Sequence, residues 1–306
     1  MNPTSPPKRS LVLAALLLSL GGCSMHQLAV NSLGDAIAQG AAAFSADDDP
    51  ELIRAAAPFS LKLIESLLAE SPWHKGLLLA GSRSFTQYAY AFLQQEAEES
   101  EERELAQAFR LEDRARGLYR RARDYGLRGL ALRRPNFARQ LRADPRRAVA
   151  VIPAPDVALL YWTGASWGAL IALSKDKPDL LGELPIVEAL MDRALELDES
   201  FERGAIHTFM IGYELVRQGG AGDPAVRARR HFTRAMELSR GADAAPLVAL
   251  AEAVCVPQQR RAEFEALLDQ ALRIDIEGAK ENRLANLVAQ RRGRWLLSRT
   301  EHLFSN

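Results

Sequence analysis

Three stretches of this chain repeat a pattern in which a bulky apolar residue is followed three positions later by alanine and then by leucine or methionine. The alanines are Ala194, Ala235 and Ala271, about 36 to 41 residues apart, and Ala122 belongs to a weaker copy two periods earlier. The pattern is typical of the second helix of a tetratricopeptide (TPR) repeat, where the small alanine allows the paired helix to approach. The sequence therefore predicts an all-α fold, a superhelical array of TPR-like helix pairs. Because the repeat lengths are irregular, a generic helical bundle is the alternative.

Capping signals place the helices along the chain. Asp49, Ser71 and Asp223 each precede a proline, and a capping side chain before a proline at the first helical position marks a helix start. Asp156 is expected to cap a helix over residues 157–173. The other predicted helices cover residues 50–69, 72–98, 102–125, 185–197, 201–218, 224–239, 246–255, 261–273 and 280–303. The apolar run 148–152, which prolines close off, is the one strand candidate.

The first 22 residues have the form of a lipoprotein signal peptide. Lys8 and Arg9 supply positive charge, and the apolar run 11–20 has about half the length needed to span a bilayer. The following Leu-Gly-Gly-Cys23 matches the lipobox, so lipidation of Cys23 is expected. An ordinary signal peptide with a chance cysteine is the alternative. Ser24 replaces the aspartate that would favour the inner membrane, which indicates the periplasmic face of the outer membrane.

The predicted organisation is a signal peptide over residues 1–22, a lipidated N-terminus with a tether or first helix over 23–48, and a TPR-like domain over 49–306. Cys255 is the only cysteine left beside Cys23, so the domain cannot form an internal disulfide and depends on packing for its stability. The apolar neighbours of Cys255 predict a buried, inert thiol.

Charge is balanced overall and uneven locally. Lys and Arg together number 39, as do Asp and Glu, so no global charge favours nucleic acid as a partner. Residues 94–104 carry six glutamates, and residues 110–147 carry 13 arginines. One interpretation is solvated helix faces with pairs such as Glu112 and Arg116. The other is a basic surface for an acidic partner or for anionic lipid headgroups.

An aromatic helix is the most unusual segment of the domain. Tyr161, Trp162 and Trp167 stand around Gly164 and Gly168, and each glycine costs a helix about 1 kcal/mol relative to alanine. Either a neighbouring helix packs closely against the two glycines, with the tryptophans filling the core, or a ligand lies there and the aromatic rings line its pocket.

The sequence carries no recognisable catalytic or metal-binding motif. None of the five histidines has metal-ligand spacing, and the HExxH, GxSxG, phosphate-binding and GxGxxG patterns are missing. His207 lies on an apolar helix, as a candidate for the pocket lining or as a buried core histidine. Glu-Ser pairs occur, but without the segment that follows them in lytic transglycosylases. We expect a non-enzymatic protein without a cofactor or metal.

At the C-terminus, Leu284, Leu287, Val288, Arg291 and Trp295 form one stripe of a helix. We expect this stripe to dock on the preceding repeat and to cap the array.

These motifs together resemble the TatT component of TRAP transporters, the lipoprotein associated with tripartite ATP-independent periplasmic transport. The most specific matches are the run LYWTGASWG at residues 160–168 and the C-terminal helix at 282–297. The other matching stretches are residues 184–198, 204–207 and 256–264.

The resemblance implies a helical superhelix tethered to a periplasm-facing leaflet and associated with a periplasmic solute-binding protein of a TRAP transporter. It also implies internal cavities for a small organic acid and allows a homotrimer. A lipidated TPR-like scaffold for cell-envelope assembly is the competing interpretation, and it requires stable protein partners without a small ligand.

Overall fold

The computed structural model describes residues 30–37, 44–278 and 280–304. Cys23, the predicted signal peptide and part of the predicted tether lie outside the described residues. Within the described ranges the protein is all-helical and contains no strand. None of the helices in these ranges combines the length and the apolar character that crossing a membrane requires.

A helical segment at residues 30–37 precedes the main helices. The first half of the domain contains α1 (Pro50–Glu70), α2 (Lys75–Tyr88), α3 (Gln95–Ser100), α4 (Leu105–Ala131), α5 (Phe137–Ala143), α6 (Pro145–Ala150) and α7 (Val157–Ala172). The second half contains α8 (Pro178–Leu181), α9 (Leu184–Leu197), α10 (Ala205–Tyr213), α11 (Pro224–Leu238), α12 (Ala245–Leu250), α13 (Arg261–Leu272), α14 (Arg283–Ser298) and α15 (Thr300–Leu303). π-Helical segments follow α2 at Ala89–Gln94 and α12 at Ala251–Cys255.

Neighbouring long helices run antiparallel and approach closely at glycines. A Cβ on Gly126 of α4 would lie 2.1 Å from Thr163 Oγ1 of α7, and a Cβ on Gly129 would lie 2.6 Å from the side chain of Leu159. Because the residue numbers rise along α4 as they fall along α7, the two helices are antiparallel. Helix α2 also packs against α4, and a Cβ on Gly126 would lie 2.9 Å from Ser82 Oγ of α2.

The repeated alanines all lie in these helix contacts. Ala122, Ala194, Ala235 and Ala271 have no exposed surface. Their burial agrees with the sequence pattern, in which the small side chain allows a second helix to come close.

The C-terminal helix contacts both ends of the chain, which differs from the predicted cap. Leu284 and Val288 of α14 pack against the hydrophobic cluster of the N-terminal helices, whereas Trp295 packs against the C-terminal cluster. Arg291 donates to both carboxylate oxygens of Glu99 in α3, at 3.0 and 2.6 Å. The last long helix therefore packs against the first ones, so α14 has N-terminal partners that a local pattern cannot reveal.

Two of the predicted caps are confirmed, and two are wrong. Asp49 and Asp223 accept hydrogen bonds from the first backbone amides of α1 and α11. Ser71 instead ends α1, and the ring of His74 caps α2. Asp156 makes no capping hydrogen bond because its carboxylate pairs with Lys75 of α2 and with Arg134, which follows α4.

The strand candidate and one helix range are also wrong. Residues 148–150 belong to helix α6, because Asp144 caps that helix at the amide of Arg147. The helix predicted over 201–218 is shortened to α10, since Glu202, Arg203 and Gly204 have positive φ angles that no α-helix accommodates.

Candidate functional site

Trp167 and the two glycines of α7 belong to helix packing. Trp167 is 1% exposed, and its indole N–H donates to Glu183 at 2.8 Å. A Cβ on Gly164 would lie 3.0 Å from Met191 of α9, and a Cβ on Gly168 would lie 3.1 Å from Phe209 of α10. The close approach of neighbouring helices therefore explains both glycines, and no surface of Trp167 is left to line a pocket.

Tyr161 and Trp162 belong to a different environment. Their rings meet edge to face with centroids 5.0 Å apart, and Tyr161 also contacts Phe201 at 5.3 Å. Tyr161 is only partly buried, while Trp162 is 7% exposed. The guanidinium carbon of Arg83, from α2, lies 5.6 Å from the centre of the Trp162 ring. A cation and aromatic rings from two helices thus form one surface.

A strained turn brings an acid to this surface. Glu202, Arg203 and Gly204 have φ angles of 43°, 61° and 94°, an unfavourable run for two residues with long side chains. Arg203 holds the turn by pairing with Asp243 at 3.1 Å and with Glu281 at 2.6 Å. The strain is therefore compensated by ion pairs outside the turn.

In this turn, Glu202 forms an ion pair with Arg83. Its carboxylate lies 3.5 Å from Arg83 Nη1. Burial raises the pKa of Glu202, although the charge of Arg83 opposes that rise. Burial also raises the pKa of Tyr161, and the negative charge of Glu202 adds to this effect. The carboxylate and the phenol thus share a desolvated environment.

A second group of polar side chains surrounds Tyr90. Tyr90 lies on the first π-helical segment and Glu252 on the second, and π-segments are frequent at functional sites. Arg292 of α14 pairs with Glu252 and with Glu98 and is only 7% exposed. Burial raises the pKa of the Tyr90 phenol, and the positive charge of Arg292 lowers it.

Tyr90 is nevertheless 45% exposed. Five positions after Tyr90, the amide of Gln95 is 1% exposed, and its interaction with the Tyr90 phenol lowers the pKa of that phenol.

We call these two groups together the interior cluster: Arg83, Tyr90, Tyr161, Trp162, Glu202 and Arg292. Burial is the main cause of the raised pKa of Tyr161, and the phenol of Tyr90 adds a smaller contribution. The cluster combines aromatic surface, two guanidinium groups and two phenol hydroxyls. Such a set can hold the apolar body of a small molecule and hydrogen-bond its polar end.

The sequence identified only part of this cluster. Tyr161 and Trp162 were predicted from the aromatic run, whereas Arg83, Tyr90 and Glu202 carry no local signal. Arg292 lies in the C-terminal run that the family resemblance singled out, but its partners are 40 and 194 residues away in the chain.

His207 lies away from the cluster. It is 6% exposed, and its Nδ1 atom lies 2.8 Å from Nδ1 of His231 in α11. Because one nitrogen must donate and the other accept, this contact requires at least one neutral ring. Burial lowers the pKa of both histidines, which favours the neutral forms. His207 therefore belongs to a helix-packing contact rather than to the lining of the interior cluster.

Other reactive groups are equally enclosed. Cys255 is fully buried, as the sequence predicted, and burial raises the pKa of its thiol to about 11. In the part of the chain that the structure describes, no three His, Cys, Asp or Glu side chains come together in an arrangement that could hold a metal ion.

Comparison with known proteins agrees with the sequence resemblance. The family model described as the TRAP transporter T-component matches residues 46–304. An uncharacterized protein of Treponema pallidum (strain Nichols) is 31% identical over 311 residues, covering 95% of each chain. The matched range includes all six residues of the interior cluster and the C-terminal helix α14. The chain therefore belongs to the TRAP transporter T-component family.

Proposed function

We propose that this accessory component of TRAP transport is anchored through Cys23 to the periplasmic face of the outer membrane and binds a periplasmic solute-binding protein, a small organic acid, or both. Its TPR-like helix pairs would form a superhelix with the interior cluster on the concave side. The observation that carries the proposal is Arg83, whose guanidinium lies over the ring of Trp162 while its buried Nε has no hydrogen-bond partner in the described ranges.

The charges of the cluster suit an organic acid. Arg83 Nε is buried without a hydrogen-bond partner in the described ranges, so a carboxylate could accept from it. Tyr161, Trp162 and Phe201 would contact the apolar part of the same molecule. Glu202 lies 3.5 Å from Arg83 and would compete with the ligand for the Arg83 guanidinium. This competition would allow the ligand to be released as well as bound.

The experiment that tests the partner is an affinity capture of the mature protein, residues 23–306, from a periplasmic extract, followed by mass spectrometry. We expect a solute-binding protein in the retained fraction. Outer-membrane assembly proteins without a solute-binding protein would support the envelope-scaffold alternative instead. Analytical ultracentrifugation of the same sample tests the homotrimer.

The ligand is tested separately by calorimetry with a panel of small carboxylic acids. The R83Q variant should lose at least tenfold in affinity, since a charge-assisted hydrogen bond contributes about 1.5–3 kcal/mol. The matched control is R110Q, because Arg110 is exposed on α4 and does not belong to the cluster. Equal affinities in both variants would contradict the role of the interior cluster.

A further inference from the structure

A set of exposed side chains lies at one end of the domain. Trp73, in the turn between α1 and α2, is 72% exposed, and Val151 after α6 is 69% exposed. Arg133, Arg139 and Arg147 are exposed, and their guanidinium groups have no ion-pair or hydrogen-bond partner within the described residues. We call these five residues the basic aromatic edge.

Contacts among their neighbours hold these residues on the same end of the molecule. Asp156 pairs with Lys75, two residues after Trp73, and with Arg134, directly after Arg133. Arg128 donates to the carbonyl of Pro72 at 2.7 Å. Arg139 and Arg147 lie on α5 and α6, which follow α4 and pack against each other. The edge is thus built from the turn before α2 and the segment that follows α4.

The chain enters the described fold beside this edge. The Ser71 hydroxyl donates to the side chain of Asn31 at 2.8 Å, and His74 Nε2 lies 3.3 Å from the Asn31 carbonyl oxygen. Asn31 therefore contacts both sides of the turn that carries Trp73. Cys23 precedes Val30 by seven residues, a length that reaches at most about 25 Å when fully extended. An acyl group on Cys23 keeps the membrane surface within that distance of the edge.

We propose that the basic aromatic edge rests on the membrane, with Trp73 at the level of the lipid headgroups and the three arginines on anionic headgroups. The inference depends on the lipid anchor of the proposed function. Tryptophan prefers this interfacial layer because its ring is apolar and its N–H is polar. Basic residues beside an acyl anchor add electrostatic attraction to an anionic leaflet.

This contact would orient the whole array. The other end of α4 carries Phe109, which is 55% exposed, and the exposed arginines Arg110 and Arg114. Arg110 and Arg133 are separated by roughly 35 Å at the helical rise of about 1.5 Å per residue. That end would then point away from the bilayer and face the periplasm. Its residue types match those of the edge, which makes it an internal control.

The test uses the full chain, expressed in a Gram-negative host, purified from membranes and reconstituted into phosphatidylcholine vesicles with or without phosphatidylglycerol. Lipids with brominated acyl chains quench the fluorescence of tryptophans at the bilayer. We expect quenching in the wild type and its loss in W73F. A tryptophan moved to the opposite end, in W73F/F109W, should stay unquenched.

The charge contribution is measured in the same vesicles. R133E/R139E/R147E should reduce the quenching of Trp73 severalfold when phosphatidylglycerol is present, whereas R110E/R114E should not change it. Circular dichroism checks that each variant keeps its helicity.

The outcomes separate the edge from the anchor. Intact mass spectrometry detects acyl groups on Cys23. If they are present and Trp73 is not quenched, the membrane contact of the basic aromatic edge is refuted, while the lipid anchor is retained. A chain without acyl groups would refute the anchor and the edge together. If W73F/F109W is quenched as strongly as the wild type, the proposed orientation is wrong. If the quenching of Trp73 is the same with and without phosphatidylglycerol, the proposed role of the arginines is wrong.

Discussion

Gly126 and Gly117 lie on the same helix, α4, and alanine is expected to have opposite effects at the two positions. A Cβ on Gly117 meets nothing within 4 Å. G117A should therefore stabilise the protein by about 0.5–1 kcal/mol, the usual advantage of alanine over glycine in a helix. A Cβ on Gly126 would instead lie 2.1 Å from Thr163 Oγ1 and 2.9 Å from Ser82 Oγ.

The crowding at Gly126 cannot be relieved cheaply. Thr163 is fully buried, and its hydroxyl donates to the carbonyl of Leu159 at 2.5 Å. Rotating this side chain breaks the hydrogen bond, and keeping it forces α4 and α7 apart. Overpacking of this kind costs typically 1–3 kcal/mol and sometimes more, so G126A should have a net destabilising effect of about 2 kcal/mol.

The measurement is urea unfolding followed by circular dichroism, with G117A as the matched control. The two variants should differ by about 3 kcal/mol in the free energy of unfolding, with opposite signs relative to the wild type. Adding T163A to G126A should recover part of the loss, because the nearest atom is removed. A G126A protein as stable as G117A would refute the close approach of α4 to α7.

Three further predictions concern buried polar groups. R292M should lower the free energy of unfolding by about 1–2 kcal/mol, because Glu252 loses its ion-pair partner and Glu98 keeps only the amide of Gln94, whereas R294M at an exposed neighbour should change it by less than about 0.5 kcal/mol in urea unfolding. Burial lowers the pKa of His207 and of His231, so the unfolded chain binds more protons and stability should fall as the pH drops below about 6.5. The urea midpoint of H207Q/H231Q should decline less than that of the wild type between pH 7.5 and 5.5, and an equal decline would contradict the assignment. Burial raises the pKa of Cys255 from 9.0 to about 11. At pH 8 this thiol should therefore react with iodoacetamide about 100-fold more slowly in the native protein than in urea. Equal rates in the two states would show that the thiol is accessible in the native protein.

Several features of the fold could be predicted because their causes are local. The helix starts at Asp49 and Asp223 depend on a side chain and amides within three residues, and both caps are present. The burial of Ala194 and Cys255 follows from apolar neighbours a few positions away, and both side chains have no exposed surface. The cap predictions at Ser71 and Asp156 were wrong for the opposite reason. The side chain of each residue bonds to partners that are distant in the sequence.

The residues of the interior cluster also divide into those with a local sequence signal and those without one. Tyr161 and Trp162 were predicted, because an aromatic pair beside a glycine is visible within a few residues. Trp167 was predicted with them, and periodicity along α7 could not show that its ring contacts Glu183 and Arg123. Arg83 and Glu202 are 119 positions apart in the chain and meet only because α2 and the turn before α10 face each other.

By itself, then, the sequence determined the all-helical class, the repeated helix–helix contacts and most helix positions, because these depend on periodicity and capping over a few residues. The tertiary structure decided which side of each helix is buried, where α14 packs against the first helices, and which charged side chains form ion pairs. The ion pairs of Arg291 with Glu99 and of Arg292 with Glu98 join residues 192 and 194 positions apart, so no local pattern could predict them.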